Sequence, residues 1–235
     1  MAQQLDLQEQ EQIDALKAFW ASYGNLITWV LTIGLAVFAG FEFYQRWQGQ
    51  QALAAGTLFG EVEKAAEAGD AARSTRVFDD MKKSYGHPLN LAFLPPQTYT
   101  LQAGLLAARV QADKGNVDGA AKSLQWVAEN GDPQNAAVAR VRWAGLLADQ
   151  KKYDDALKQL DEVKLPAFAA LANDRRGDVL AAKGDATGAK AAWLAAWNGM
   201  DEKVQYRSVV ETKLAAMGAA PAASAASAAA SGAAQ

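Results

Sequence analysis

Apolar residues are distributed along this chain in two unlike ways. Over residues 25 to 43, NLITWVLTIGLAVFAGFEF, they run without a polar face, and Glu42 is the only formal charge. Beyond residue 52 they recur at spacings of three and four, as in amphipathic helices. The first segment has 19 residues, which as a helix extends about 28 Å, close to the hydrocarbon thickness of a bilayer. Trp29 near its start and Phe43, Tyr44 and Trp47 at its end place amphipathic rings at headgroup depth, and Arg46 reaches toward phosphates while pairing with Glu42 one turn earlier. A buried core helix is the first alternative, but the remaining amphipathic segments offer no core large enough to enclose it. A cleaved signal peptide is the second, with Val37 and Ala39 as the small pair. The preceding residues oppose it, because Asp6, Glu9, Glu11 and Asp14 stand against a single base, Lys17, where a signal requires a basic start. The pattern predicts one uncleaved span. Lys17, Arg46 and Lys64 are too few to orient it by charge.

The amphipathic part repeats itself. ADKGNVDGAAKSLQWVAEN from Ala112, ADQKKYDDALKQLDEVKLP from Ala148 and AAKGDATGAKAAWLAAWNG from Ala181 superimpose, with Ala120, Ala156 and Ala189 standing 36 and 33 residues apart. Each alanine is followed at +4 by Leu124, Leu160 or Trp193 and at +7 by Val127, Val163 or Ala196. Twelve residues before each lies another small residue, Ala108, Ala144 or Gly177, within a segment of helical periodicity. Small residues facing one another let two helices approach closely, and the +4 and +7 side chains fill the groove between them. The arrangement predicts helical hairpins and resembles tetratricopeptide repeats, whose period is about 34 residues. A fourth, degenerate copy lies upstream, with the turn Ala68-Gly69-Asp70 and with Ser74, Phe78 and Met81 at the anchor, +4 and +7 positions. The insert HPLNLAFLPP, residues 87 to 96, reads as a loop because of Pro88, Pro95 and Pro96. Tyr206, Val210, Leu214 and Met217 share one face of a terminal capping helix.

The last segment, GAAPAASAASAAASGAAQ from Gly218, has only small residues and a proline, and is expected to be a disordered tail. The expected fold is therefore all-α, a single N-terminal transmembrane helix followed by a tetratricopeptide-like solenoid. Its divisions are an arm over 1–24, a span over 25–43, a repeat domain over 44–217 and a tail over 218–235.

Charge and composition narrow the function. The chain holds 23 Lys plus Arg against 26 Asp plus Glu, and residues 1 to 43 contain five of the acids and one of the bases, which leaves the repeat domain nearly neutral. That balance argues against a nucleic-acid ligand. The absence of cysteine excludes disulfides and thiol chemistry. The lone histidine, His87, has no second histidine or cysteine to complete a metal site or a nucleophile–base pair. Asp79-Asp80 and Asp154-Asp155 read as solvated pairs, with Asp154 and Asp155 placed to cap a helix start. No glycine-rich phosphate loop is present. No catalytic residue, cofactor or metal is expected, and the reading is a binding module. Within the span, Thr28, Thr32, Ala36 and Gly40 fall at intervals of four and form a ridge of small side chains where a partner helix could pack.

The arm EQIDALKAFWASYGN, the span running into YQRW, the weak first repeat and LAAKGDATGAKAAWLAAW together resemble the YfgM family of bacterial ancillary Sec-translocon subunits. The insert and the Ala/Ser tail depart from that pattern. The resemblance implies an inner-membrane protein with its N-terminus in the cytoplasm and its repeats in the periplasm, associated with the SecYEG channel and with a membrane-anchored prolyl-isomerase-like chaperone. It implies a role in passing newly translocated polypeptides to periplasmic chaperones. The residues themselves leave a second class open, an envelope scaffold of another inner-membrane assembly in cofactor-protein maturation or division. By similarity with peptide-binding tetratricopeptide arrays, positions 2, 5, 9 and 13 of each first helix would line a partner groove. These are Gln102, Leu105, Arg109 and Asp113, then Val138, Val141 and Asp149, then Leu171, Asp174 and Asp178. The set lacks a dense basic clamp for acidic peptide termini, and extended unfolded segments or a folded partner fit it better.

An uncleaved anchor has a direct test. Alkaline carbonate extraction should leave the intact chain in the membrane pellet, and a mature N-terminus mapped beyond Gly40 would exclude the anchor.

Overall fold

The computed structural model describes residues 7–86 and 98–219. The insert with His87, Pro88, Pro95 and Pro96, the tail from residue 220 and the first six residues lie outside the described residues. Every regular element among those described is helical: α1 (Leu7–Glu67), α2 (Ala71–Tyr85), α3 (Thr98–Asp113), α4 (Val117–Asn130) and α5 (Pro133–Asp149), then α6 (Tyr153–Asp161), a 3-10 turn at Pro166–Phe168, α7 (Ala169–Lys183), α8 (Ala186–Gly199) and α9 (Arg207–Ala216). The chain divides into two compact units, Met1–Gln51 and Ala52–Gln235.

In the first unit the arm and the apolar segment are one uninterrupted helix, with no break at the boundaries expected at 24/25 and 43/44. No proline occurs within α1, and an isolated glycine costs a helix only about 1 kcal/mol. This helix is long and apolar enough to cross a membrane, and no residue of its most apolar window is buried, unlike a core helix. Glu42 and Arg46 pair at 3.1 Å, one turn apart, as the sequence predicts. The Trp20 ring lies over Gly24, about where a side chain at that position would stand.

In the second unit the hairpins close with one recurrent turn. Gly69, Gly115, Lys151 and Gly184 all adopt the left-handed conformation, at φ 63°, 76°, 61° and 92°. At each, two backbone bonds seal the end of the preceding helix, for example Gly115 N–H to the Ala112 carbonyl and Asn116 N–H to the Gln111 carbonyl. This is the Schellman pattern, which satisfies carbonyls that a helix end would otherwise leave unpaired. The next residue caps the following helix: Asp70, Asn116 and Asp185 accept from the N–H groups of Arg73, Gly119 and Gly188. The third repeat departs from this chemistry. Lys151 takes the strained position and Lys152 the cap, with no side-chain capping bond. Asp154 and Asp155, expected to cap α6, instead lie inside its first turn and pair with Lys183 at 2.7 Å and Lys158 at 3.2 Å. From within the turn they still interact favourably with the helix dipole.

Packing follows the small residues. Ala120, Ala156 and Ala189 are fully buried, as are their counterparts Ala108, Ala144 and Gly177, and Leu124, Leu160 and Trp193 fill the adjoining space. A Cβ on Gly177 would stand 2.4 Å from the Trp193 ring, and one on Gly104 would stand 2.6 Å from Val127, so both glycines are required by close approach. Ser74, Phe78 and Met81 are buried too, which confirms the degenerate first copy. Val163 differs from the expectation. It lies beyond the end of α6 and is only partly buried, because that helix is the shortest of the set.

The core is a series of linked clusters. Val62, Phe78 and Met81 meet Ala103 and Ala107 of α3. Leu101, Leu124 and Val127 meet Ala139 of α5, and Val141, Leu147 and Leu160 meet Val179 of α7. Trp193 and Ala196 of α8 meet Val210 and Leu214 of α9, so the terminal helix caps the array as expected. Trp126 packs edge-on to Phe78, with ring centroids 5.5 Å apart, and joins the first two clusters, while Trp143 joins the next two.

Two substitutions test the turn and the contact. Gly177→Ala should destabilise the full chain in detergent by about 1–3 kcal/mol through overpacking, whereas Lys151→Gly should stabilise it by about 1 kcal/mol by relieving the left-handed backbone. Denaturant unfolding followed by circular dichroism reads both, and an unchanged midpoint for each would contradict the packing described.

Candidate functional site

The span ridge and the repeat groove lie in different units, and each is described separately. On the apolar helix, Thr28, Thr32, Ala36 and Gly40 are all exposed. Thr28 Oγ1 donates to the Gly24 carbonyl at 2.8 Å and Thr32 Oγ1 to the Thr28 carbonyl at 2.7 Å. Their hydroxyls are thus satisfied within the helix and the ridge presents methyl groups and backbone.

In the repeat unit, the groove residues expected from sequence separate into two groups. Gln102, Arg109, Asp113 and Asp149 are exposed. Arg109 and Asp113 form an open ion pair at 3.8 Å. Both line a depression with Glu63 and Glu67 of α1 and with Leu106 and Val110. Val141, Asp174 and Asp178 do not share that surface. Val141 is buried in the cluster between α5 and α7. Asp174 is only 2% exposed and receives hydrogen bonds from Tyr206 Oη at 2.8 Å and Lys213 Nζ at 2.7 Å. Asp178 receives Lys213 Nζ at 2.7 Å and Trp193 Nε1 at 3.1 Å. One register applied to every repeat misplaces these residues, because α7 packs over Val141 and side chains from the terminal segment close over α7 and occupy its carboxylates.

Two arginines outside the expected set belong to the open surface. A cavity of about 360 Å³ has an apolar lining of Leu105, Ala108, Ala112, Leu124 and Leu146, and its charge comes from Arg109 and Arg142. Arg142 forms no ion pair among the described residues. Its pKa is lowered first by burial and then by the charge of Arg109. Further along, the Arg175 guanidinium carbon lies 3.8 Å from the point where a Cβ on Gly145 would stand. Arg109, Arg142 and Arg175 stand at intervals of 33 residues, a signal present in the sequence but hidden by assigning groove positions from one helix register.

The polar centre between α7 and the terminal segment has its own electrostatics. Burial alone would lower the Lys213 pKa, but hydrogen bonds to Asp174 and Asp178 outweigh it and raise the pKa above the usual 10.5. Burial and the hydrogen bond to Asp174 likewise raise Tyr206 above 10.0. Asp174 and Asp178 thus anchor the last helix, and no substrate chemistry follows from their arrangement.

Known proteins place this geometry in a family. Residues 17–219 match the family model described as a tetratricopeptide repeat-like domain. A protein of Neisseria gonorrhoeae (strain ATCC 700825 / FA 1090) named ancillary SecYEG translocon subunit is 33% identical over 179 residues, covering 75% of this chain and 81% of its own. The protein of the same name from Escherichia coli (strain K12) is 30% identical over 190 residues, covering 80% and 86%. One from Haemophilus influenzae (strain ATCC 51907 / DSM 11121 / KW20 / Rd) is 22% identical over 212 residues, covering 90% and 96%. A membrane-length helix joined to tetratricopeptide-like hairpins defines the class, and the chain belongs to the YfgM family of ancillary translocon subunits.

The Lys213 centre yields a pH prediction. Lys213 and Tyr206 both have folded pKa values raised above their unfolded ones, so their stabilisation is fully present below about pH 10 and is lost as pH rises through the folded values. The melting temperature should fall more steeply above pH 10 in the parent than in Lys213→Gln. At pH 7 that substitution should cost about 3 kcal/mol, because it leaves the Asp174 carboxylate buried without its cation.

Proposed function

We propose that this protein is a membrane-anchored adaptor at the SecYEG translocon. Its apolar helix spans the inner membrane with the N-terminus cytoplasmic, and the repeat unit stands in the periplasm. There it links newly translocated proteins to a membrane-anchored prolyl-isomerase-like chaperone through protein–protein contacts, without catalysis. The observation that carries this reading is the likeness to proteins named ancillary SecYEG translocon subunit over 75–80% of the chain, together with a family match over residues 17–219 that takes in both the apolar helix and the repeats. Two physical features support it. No residue in the apolar window of α1 is buried, and the window is suited to lipid or to a partner helix, with the Thr28, Thr32, Ala36 and Gly40 ridge on one face. The repeat unit keeps Gln102, Arg109, Asp113 and Asp149 free of the core for a second contact. Two modest contacts in one chain raise effective concentration, so neither has to be strong alone.

The test is crosslinking from the membrane with mass spectrometry, combined with exchange of residues 25 to 43 for an unrelated span. Channel subunits should be recovered with the parent, and the exchanged span should weaken their recovery while the repeat unit stays folded. Full recovery after the exchange would remove the span contact. Absence of channel subunits with the parent would point to an envelope scaffold of another assembly, and a repeat unit protected on the cytoplasmic side would refute the proposed topology.

A further inference from the structure

The cavity between α3, α4 and α5 brings two arginines to one apolar surface. Its lining is apolar apart from Arg109 and Arg142. Neither arginine is held by a close acid: Arg109 has a side chain 76% exposed and holds Asp113 only loosely at 3.8 Å, and Arg142, partly desolvated although its residue is exposed overall, forms no ion pair among the described residues. Some cations next to helix contacts elsewhere in this unit are matched closely by acids, as Arg176 is by Asp161 at 2.7 Å and Lys213 by Asp174 and Asp178. Two guanidinium groups thus meet at one small apolar cavity with a single loose counter-ion, Asp113, which pairs with Arg109. They repel each other, and a carboxylate placed between them would remove that repulsion and accept charge-assisted hydrogen bonds.

We infer that this cavity is the docking point for an extended segment of a partner protein in which an Asp or Glu side chain is flanked by apolar residues. The carboxylate bridges Arg109 and Arg142, and the neighbouring apolar side chains cover Leu105, Leu124 and Leu146. The Arg142 pKa is lowered first by burial and then by the charge of Arg109, as expected of two cations that meet at one partly desolvated site. The surface also continues past the arginines on both sides. Arg109 borders the neighbouring depression with Glu63, Glu67 and Asp113, and in the other direction Arg175 lies over Gly145. A through-running surface suits an internal segment better than a chain end, whose carboxylate would leave one side uncovered. The first depression is acidic, so the same segment is expected to present a base on that side.

This inference deepens the adaptor reading by naming the chemistry of the segment recognised, and it rests on that reading only for where the partner is met. The test uses the full chain in detergent micelles and three short labelled peptides, each with an amidated C-terminus and the apolar core Leu-X-Val-Leu, in which X is Glu, Gln or Lys. Fluorescence anisotropy should show the Glu peptide binding about tenfold more tightly than the Gln peptide and the Lys peptide binding least. Arg142→Gln and Arg109→Gln should each reduce the preference for Glu over Gln to near unity while leaving the thermal midpoint unchanged. Equal binding of the Glu and Gln peptides by the parent, or a preference that survives both substitutions, would overturn the inference. Tighter binding of a Gln peptide with a free C-terminal acid than of the amidated Glu peptide would overturn it in favour of a chain end. Copurification with channel subunits is read separately: recovered channel with no peptide preference defeats this inference alone, and peptide preference without the channel defeats the adaptor reading alone.

Discussion

The repeat unit depends on one constraint, that small residues stand buried at matching places on the paired helices. Ala108 against Ala120 and Ala144 against Ala156 meet this requirement with two alanines, and Gly177 with Ala189 meets it where the indole of Trp193 takes up the remaining volume. Small residues at a crossing lower the interaxial distance, and dispersion and apolar burial along the rest of the helix faces then become available. The left-handed turn residues serve the same end. By reversing the chain in few residues, they bring the second helix back onto the first in register, and three of the four are glycine because only glycine takes that backbone without strain.

Closed and open charge are divided along the unit. At its C-terminal end Asp174, Asp178, Tyr206 and Lys213 form a closed, mutually satisfied network, and Val210 and Leu214 seal the core beneath the last helix. A terminal repeat needs such closure because no further hairpin covers it. In the middle of the unit the first helices leave carboxylates and guanidinium groups in solvent around an apolar cavity. The charged side chains there stay in contact with water, whereas at the C-terminal end the buried Asp174 carboxylate has its counter-ion supplied by Lys213.

Much of this architecture was legible in the chain. The span was visible as a run with no polar face, and the hairpins were visible because the anchor alanines, their +4 partners and the turn residues recur in register. Even the degenerate first copy, with Ser74 in place of alanine, was recognisable from Phe78 and Met81. These features are local. Periodicity, small residues and turn chemistry act within one or two helices, and they leave a record in consecutive residues.

The fate of the charged side chains was not recorded in that way. Arg109 and Asp178 occupy the same position in their helices, one residue after the small crossing residue, yet Arg109 is open to solvent and Asp178 is half-buried, because Lys213, 35 residues further on, and Trp193 both donate to Asp178. Likewise Val141 is a groove position by count but a core residue by packing, since α7 stacks against α5. Sequence by itself determined the span, the hairpins and their order, through short-range periodicity. Only the tertiary structure decided which polar groups are matched and which remain open, because that depends on distances between helices far apart in the chain, where electrostatic energy is set by a few ångströms and by access to water.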